Sequence, residues 1–343
     1  MEIHPDLLRA GSGLVLGLIF GFMAQRSKFC MVAAVSNLAL MRDFRQFHAY
    51  LTAVAVALAG TALLEWGQWV DIAQSGYRRP LLNWASALGG GLIFGYGAML
   101  AGGCASRTLV RCAEGNIGAL VVLVAFALAG MASLFGVLEP VRVGLGRHLE
   151  VYLAAGDASA SVLLGMPPWL FPLGLALLCL GLVFGLGDWR SHAGLIIAGA
   201  VIGLVIVAGW SATGILGQDE FDPRPPTSVS MAGPLARDAL FLITGQSTGT
   251  LFALLLVPGV LLGAFGSALS SGTFRLIAPA GNRVGAYLAG GLLMGVGAVL
   301  AGGCNVGQGL SGLATASVSS MVAVAGILGG LLLGLRRLQR QAA

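Results

Sequence analysis

Of 343 residues, 57% are hydrophobic and only 10% charged, and the mean hydropathy is +0.89, so most of the chain cannot be solvated. At roughly 20 residues per crossing, residues 1–343 hold about eight to ten membrane spans and short loops, a single integral membrane domain with no separate soluble one. The net charge of +5 lacks any basic stretch interleaved with aromatics, which argues against nucleic-acid binding, and 54 glycines without a Gly-X-Y period exclude collagen while suiting close helix packing in lipid.

The first eleven residues carry Glu2 and Asp6 against Arg9 and lack the basic start of a signal peptide, so the first apolar run, about 10–24, reads as a retained span. It meets the polar Gln25-Arg26-Ser27-Lys28-Phe29-Cys30, after which 31–41 is apolar again but short. That pattern predicts a broken or re-entrant helix with Cys30 near the break, surrounded by protein or a water-filled cavity. Arg42, Arg45 and His48 mark a basic loop. A second span covers about 49–70, with Glu65 near its end and Trp66, Trp69 and Tyr77 as an interfacial belt. The third starts near Trp84, with Asn83 or Ser86 as its cap, and runs to Cys104. The polar string from Ala105 to Asn116 reads as a short re-entrant helix, and the fourth span follows over about 117–138. Mixed charges over 141–161 predict an interfacial amphipathic helix. Spans five and six cover about 168–186 and 193–210; residues 217–237 form the longest polar loop, and its prolines exclude regular structure. Spans seven and eight cover about 250–271 and 284–300. A second polar re-entrant string follows Cys304, and span nine closes over about 317–335.

Two stretches are copies of one another. GGLIFGYGAMLAGGC at 90–104 and GGLLMGVGAVLAGGC at 290–304 agree at 11 of 15 positions. The shared Leu-Ala-Gly-Gly-Cys ending marks an internal duplication, typical of transport folds whose substrate site lies at the repeat interface. The halves are about 1–140 and 190–335, with a linker span between them. Arg336, Arg337 and Arg340 set the C-terminus in the cytoplasm; nine spans then put the N-terminus outside, although Arg78, Arg79, Arg142 and Arg147 fall outside against the bias. Spans three and four correspond to eight and nine, five apart, so the repeats are inverted. The expected fold is an all-α polytopic membrane protein with about nine transmembrane helices and short re-entrant helices.

Five cysteines show no C-x-x-C pair and no metal spacing, so neither a disulfide framework nor a metal centre is expected, and no cofactor. Cys104 and Cys304 stand at the duplicated breaks; Cys30 has no evident repeat partner, and Cys112 and Cys179 read as apolar fillers. A thiol is a soft, polarisable contact and weak donor. Short helices beginning beside the cysteines aim amide N–H groups and positive dipole ends inward. Gly102, Gly103, Gly302 and Gly303 let backbone approach an ion, and Ser106, Asn305 and Gln308 add neutral donors. Together they describe a site for a soft anion, hence a sulfur oxyanion or sulfide species. Arg107 and Arg111 suit a cytoplasmic mouth; Arg26 and Lys28 serve as topology determinants or line a mouth. No P-loop motif is present, so no ATP-driven step is expected.

The strings GGCASRTLVRCAEGN, LAGGCNVGQGLSG and QRSKFCMVAA, with GWSATGILG at 209–217 and the FDPRPP loop, resemble the YeeE/YedE membrane proteins over essentially the whole chain. The resemblance implies a bacterial inner-membrane importer of thiosulfate or a related sulfur anion, not an enzyme. It implies three functional cysteines, Cys30, Cys104 and Cys304, which pass the anion between thiols by S–H···S hydrogen bonding without a covalent intermediate. It also implies a small cytoplasmic sulfurtransferase of the TusA type as partner. The alternatives are a membrane thiol-disulfide oxidoreductase using the same cysteines and a transporter of a selenium compound.

Overall fold

The computed structural model describes residues 5–148, 150–153, 156–186, 189–218, 224–246 and 248–342. Uncharged apolar runs become helices wherever no polar string interrupts them. In chain order these are α1 (Pro5–Ser27), α2 (Met31–Met41), α3 (Arg45–Trp66), α4 (Trp84–Ala101), α5 (Ala105–Ala113), α6 (Ile117–Phe135), α7 (Glu139–His148) and the one-turn α8 (Ala160–Leu163). There follow α9 (Leu170–Gly185), α10 (Ala193–Ser211), α11 (Ala232–Thr244), α12 (Leu251–Ser270), α13 (Val284–Leu300) and α14 (Val318–Ala342). A π-helical turn, Gly307–Gly312, lies between α13 and α14. Among the described residues eight helical stretches are long and apolar enough to cross a membrane; α1 with α2, and α4 with α5, each form one such stretch. The expected fifth span is the shorter α9, whose 16 residues rise about 24 Å.

Glycines set the packing. A Cβ on Gly90 would strike the backbone of Ala301, and one on Gly290 that of Ala101; one on Gly97 would meet the Gly290 carbonyl, and one on Gly297 the Gly90 carbonyl. α4 and α13 therefore touch backbone to backbone along matching faces. Gly91 and Gly95 seat α4 on α14 as Gly291 and Gly295 seat α13 on α6. The same exchange runs through the rest: α1 packs on α12 and α3 on α10, α6 on α11 and α14 on α2.

Several expectations change in detail. The amphipathic helix expected over 141–161 ends at His148; Val151–Tyr152 pairs antiparallel with Leu81–Leu82 as a two-residue ribbon, and Asp157 turns inward to an ion pair. The loop 217–237 ends earlier than expected, because α11 starts at Ala232; residues 219–223 lie outside the described set. Tyr77 leaves the interfacial belt to pack edge-on against buried Trp210, whereas Trp66 and Trp69 stay exposed. His48 is a fully buried residue of α3 rather than loop charge. Asn83 occupies the first cap position of α4, but its amide reaches Glu150 at 3.3 Å and caps nothing.

Candidate functional site

All three implicated cysteines sit on the same local construction. α4 ends in a Schellman motif, with Gly103 N–H donating to Ala98 (2.9 Å) and Gly102 N–H to Met99 (3.2 Å). α13 repeats it through Gly303 to Ala298 (2.8 Å) and Gly302 to Val299 (3.2 Å). α1 closes in the same way through Phe29 to Ala24 (3.1 Å) and Lys28 to Gln25 (3.2 Å). The left-handed residue is Gly102 (φ 74°), Gly302 (φ 72°) or Lys28 (φ 53°), and the cysteine follows two places later. Cys30 thus has structural counterparts that its sequence hides, because a lysine fills the glycine's place. Cys30 and Cys104 occupy the first cap positions of α2 and α5 without closing a capping hydrogen bond. Their thiols lie beside the amides of Val32 and Ala33 and of Arg107; that of Cys304 lies beside Val306, Gly307 and Met231.

These ends converge. The thiols of Cys30 and Cys104 lie against each other, and Ser106 Oγ is 3.3 Å from Cys104 Sγ. Tyr50 of α3 stands within electrostatic reach of all three cysteines, stacks on Phe29 and donates its hydroxyl to the Asn305 carbonyl at 3.4 Å. Its one signal in the sequence is a phenol near the start of a mostly apolar span. Met231 precedes α11 as Cys30 precedes α2, and its backbone amide reaches the Cys304 thiol from the other half. All of these groups are buried. Asn305 is buried with its side-chain oxygen unpartnered among the described residues. Turned over, that amide offers N–H donors at the same place.

A cavity of about 740 Å³ opens toward Cys304, bounded by Gly302, Gly303 and Gln308 and by three arginines, Arg79, Arg224 and Arg237. Tyr77 and Ser230 reach into it over Gly307. Burial, with the Cys304 thiol beside it, raises the Tyr77 hydroxyl above its usual range although Ser230 acts the other way, so it remains a neutral donor.

Buried polar groups anchor both re-entrant strings. Fully buried Arg78 forms a two-pronged ion pair with Glu65, lies 3.6 Å from Asp157 and donates through Nε to the Thr315 carbonyl at 2.8 Å. On the other string, Gln25 donates to Thr273 (2.9 Å) and Glu114 (3.3 Å) and accepts from Ser267 (2.6 Å), while Arg107 stands 3.5 Å from Glu114.

The chain matches a family described as sulphur transport over residues 26–333. It belongs to that family. It is 29% identical to the thiosulfate transporter TsuA of Escherichia coli K12, over 87% of this chain and 86% of the relative. It is 30% identical to the thiosulfate transporter TsuA of Spirochaeta thermophila, over 91% and 94%. A shorter match, 29% over 32% of this chain and 25% of the relative, is to the probable transporter YedE of Salmonella typhimurium. The chain is a multi-pass membrane transporter for sulfur compounds, and its relatives are named as transporters rather than enzymes.

In this transporter the expected site residues divide. Cys30, Cys104, Cys304, Ser106 and Asn305 come together at the buried centre. Gln308 uses both ends of its amide within the protein, donating to Ala301 (2.8 Å) and accepting from Ser320 (2.6 Å). Arg111 similarly donates to the Gly102 carbonyl at 3.3 Å. Arg107 lies within electrostatic reach of Cys30, and Lys28 is the exposed residue of the α1 Schellman turn. Arg26 faces a lateral groove between α1, α3 and α10. Cys112 and Cys179 lie on α5 and α9, away from this cluster.

Proposed function

We propose that the transporter imports thiosulfate, or a closely related inorganic sulfur anion, across the cytoplasmic membrane of a bacterium. The reading rests on one observation above all: three thiols at helix N-termini meet around Tyr50, next to a cavity bearing three arginines. The arginines gather an anion by long-range attraction, and the cavity borders the Cys304 loop first. Past Gly302 and Gly303, the anion exchanges hydration for amide N–H groups, the Tyr50 and Ser106 hydroxyls and S–H donors. Cys304 hands it to the Cys30–Cys104 pair by S–H···S hydrogen bonding, with no covalent bond to the protein. Arg107 and Arg111 receive it at the opposite mouth. Among the described residues no carboxylate acts on the three thiols, which suits anion passage.

The exchange of contacts between the two sets of helices supports reading them as inverted halves, about 1–140 and 190–335, with α9 in the linker. In that arrangement the N-terminus is outside, the C-terminus cytoplasmic, and the Arg79–Arg224–Arg237 cavity faces outward. A TusA-type sulfurtransferase that consumes sulfur at the cytoplasmic mouth keeps import downhill. The test is proteoliposome uptake compared for thiosulfate, sulfate, sulfite and selenite. Preference for thiosulfate over sulfate is expected, because sulfate offers only hard oxygens; equal uptake of the two overturns selection by thiols. Selenite uptake to the exclusion of thiosulfate would select the selenium reading.

The contact between Cys30 and Cys104 favours one second reading, a thiol-disulfide relay, since redox cycling needs two thiols within bonding reach. The intact mass of the protein during turnover separates them. A disulfide or persulfide that forms and decays at the transport rate selects the redox reading; an unchanged mass selects the hydrogen-bonding relay.

A further inference from the structure

Away from the cysteines, a second basic cavity of about 600 Å³ opens sideways between α1, α3 and α10. Its polar end gathers Arg26, Ser27, Arg45, Ser191 and His192, and its wall is Met23, Gly194, Leu195, Ile197 and Ala198. Arg26 is exposed and, among the described residues, has no ion-pair partner; Arg45 there keeps a loose pair with Asp43 at 3.7 Å, with most of its side chain exposed. The His192 ring is held by stacking on buried His48 at 6.0 Å, and Gln46 donates to the Ser27 carbonyl at 3.1 Å, tying the floor of the cavity to α3.

The cavity has a neighbour across Met23. Met23 also borders an apolar groove of about 550 Å³ that runs between α1 and α12 along Leu18, Ile19, Phe22, Leu262, Gly263 and Gly266. Ile19, Phe22 and Leu262 are exposed there, as Ile197 is on the α10 side. Two apolar channels thus diverge from one basic end. Trp189, next to that end, packs against Phe184 (5.2 Å) and carries the Arg190 guanidinium over its ring at 5.4 Å, an aromatic-cation pairing suited to the headgroup level.

We propose that this groove binds one anionic phospholipid, its phosphate between Arg26, Arg45 and His192 and its two acyl chains along α10 and along the α1–α12 groove. A soluble anion would use the basic end and leave both apolar channels unexplained. A zwitterionic lipid would fill the channels while its cationic headgroup offset the attraction of two arginines. Basic pockets between helices at a membrane surface hold anionic headgroups for this reason. The assignment depends on the multi-pass fold and not on the thiosulfate reading, so either stands if the other fails.

The test uses the full chain in nanodiscs of phosphatidylcholine with increasing phosphatidylglycerol, and native mass spectrometry of lipid retained after detergent transfer. Wild type should retain about one phosphatidylglycerol in preference to phosphatidylcholine. Each arginine near an anionic surface is worth about fivefold in lipid attraction, so the paired variant R26Q/R45Q should lose most of that preference. Gly194→Leu, whose Cβ meets open space, should cut retention of both lipids by filling the α10 channel without disturbing the helix. Arg190→Gln removes one nearby charge outside the groove and should leave retention unchanged. Size-exclusion profile and melting in phosphatidylcholine check that the variants fold; if R26Q/R45Q does not, the single variants R26Q and R45Q replace it, each of which should lose part of the preference, and full retention by both would overturn the proposal. Equal loss in Arg190→Gln would mean diffuse surface attraction, and displacement of the lipid by millimolar inorganic phosphate would mean a soluble-anion site. Either result, or full retention by R26Q/R45Q, overturns the proposal.

Discussion

The Cys104 and Cys304 strings have the same ancestry in sequence and the same turn in structure, yet they are finished differently. After Cys104 the chain forms nine residues of α-helix carrying Arg107 and Arg111; after Cys304 it passes through a π turn with Gly307 and Ser311 at the corresponding positions and a further glycine, Gly309, between them. The reason is crowding. A Cβ at Gly307 would lie 2.6 Å from Ser230 Oγ, and one at Gly309 would collide with the Tyr50 hydroxyl. Tethers differ too, since an ion pair with Arg78 wholly buried holds the second string whereas a mostly neutral network around Gln25 holds the first. Duplication supplied the turn that aims amides and thiol inward, and the surroundings then set the charge of each mouth.

Removing each thiol has the largest expected effect. Cys104→Ala and Cys304→Ala each delete a donor to a charged ligand worth about 1.5–3 kcal/mol, so uptake should fall about tenfold or more at both. Cys→Ser keeps a donor but loses the soft contact and should also fail largely, and Cys30→Ala should go the same way. Cys112→Ala and Cys179→Ala should transport normally in the same liposome assay. Loss at only one of Cys104 and Cys304 would end their functional equivalence.

The tethers come next in size. Arg78→Gln strands buried acid and should destabilise by about 3–5 kcal/mol, read as a large drop in melting temperature in detergent. Replacing Arg78 and Glu65 together by methionines should recover much of it. On the other string Gln25→Ala should cost about 1–3 kcal/mol. Equal losses would mean that the ion pair gives the second string no special hold.

Crowding gives a smaller contrast. Gly307→Ala should cost about 1–3 kcal/mol through overpacking with the anion path intact, while Arg107→Ala, at the corresponding place in α5, leaves Glu114 without its ion-pair partner and should lower uptake as well as stability. Melting and uptake measured on the same preparations separate the two. The smallest effects test the shared turn. Gly102→Ala and Gly302→Ala should each lose about 1–2 kcal/mol, the ordinary cost of a left-handed residue with a Cβ. Lys28→Gly should gain a fraction of a kcal/mol to about 1 kcal/mol. A loss at Lys28→Gly would show that its side chain does more than occupy the turn.

Membrane class, helical runs and the two duplicated breaks are legible residue by residue, because in lipid an uncharged run has no stable state but a helix and a polar string inside one must interrupt it. It also marked Cys104 and Cys304, since an identical Gly-Gly-Cys ending survives the divergence of the apolar residues around it. The rest depends on packing. Cys30 joined the same construction because Lys28 is held left-handed by the Schellman bonds of α1, a conformation that its side chain does not announce. Tyr50, Met231 and the pairing of Arg78 with Glu65 and Asp157 link residues far apart in the chain, and only the packing of α3, α11 and the 70–83 connection brings them to the strings. α11 went unseen because a short helix held by its neighbours needs no long apolar period of its own. Local backbone preference and hydrophobicity are written residue by residue, whereas the partner of a buried polar group depends on where every other helix has gone.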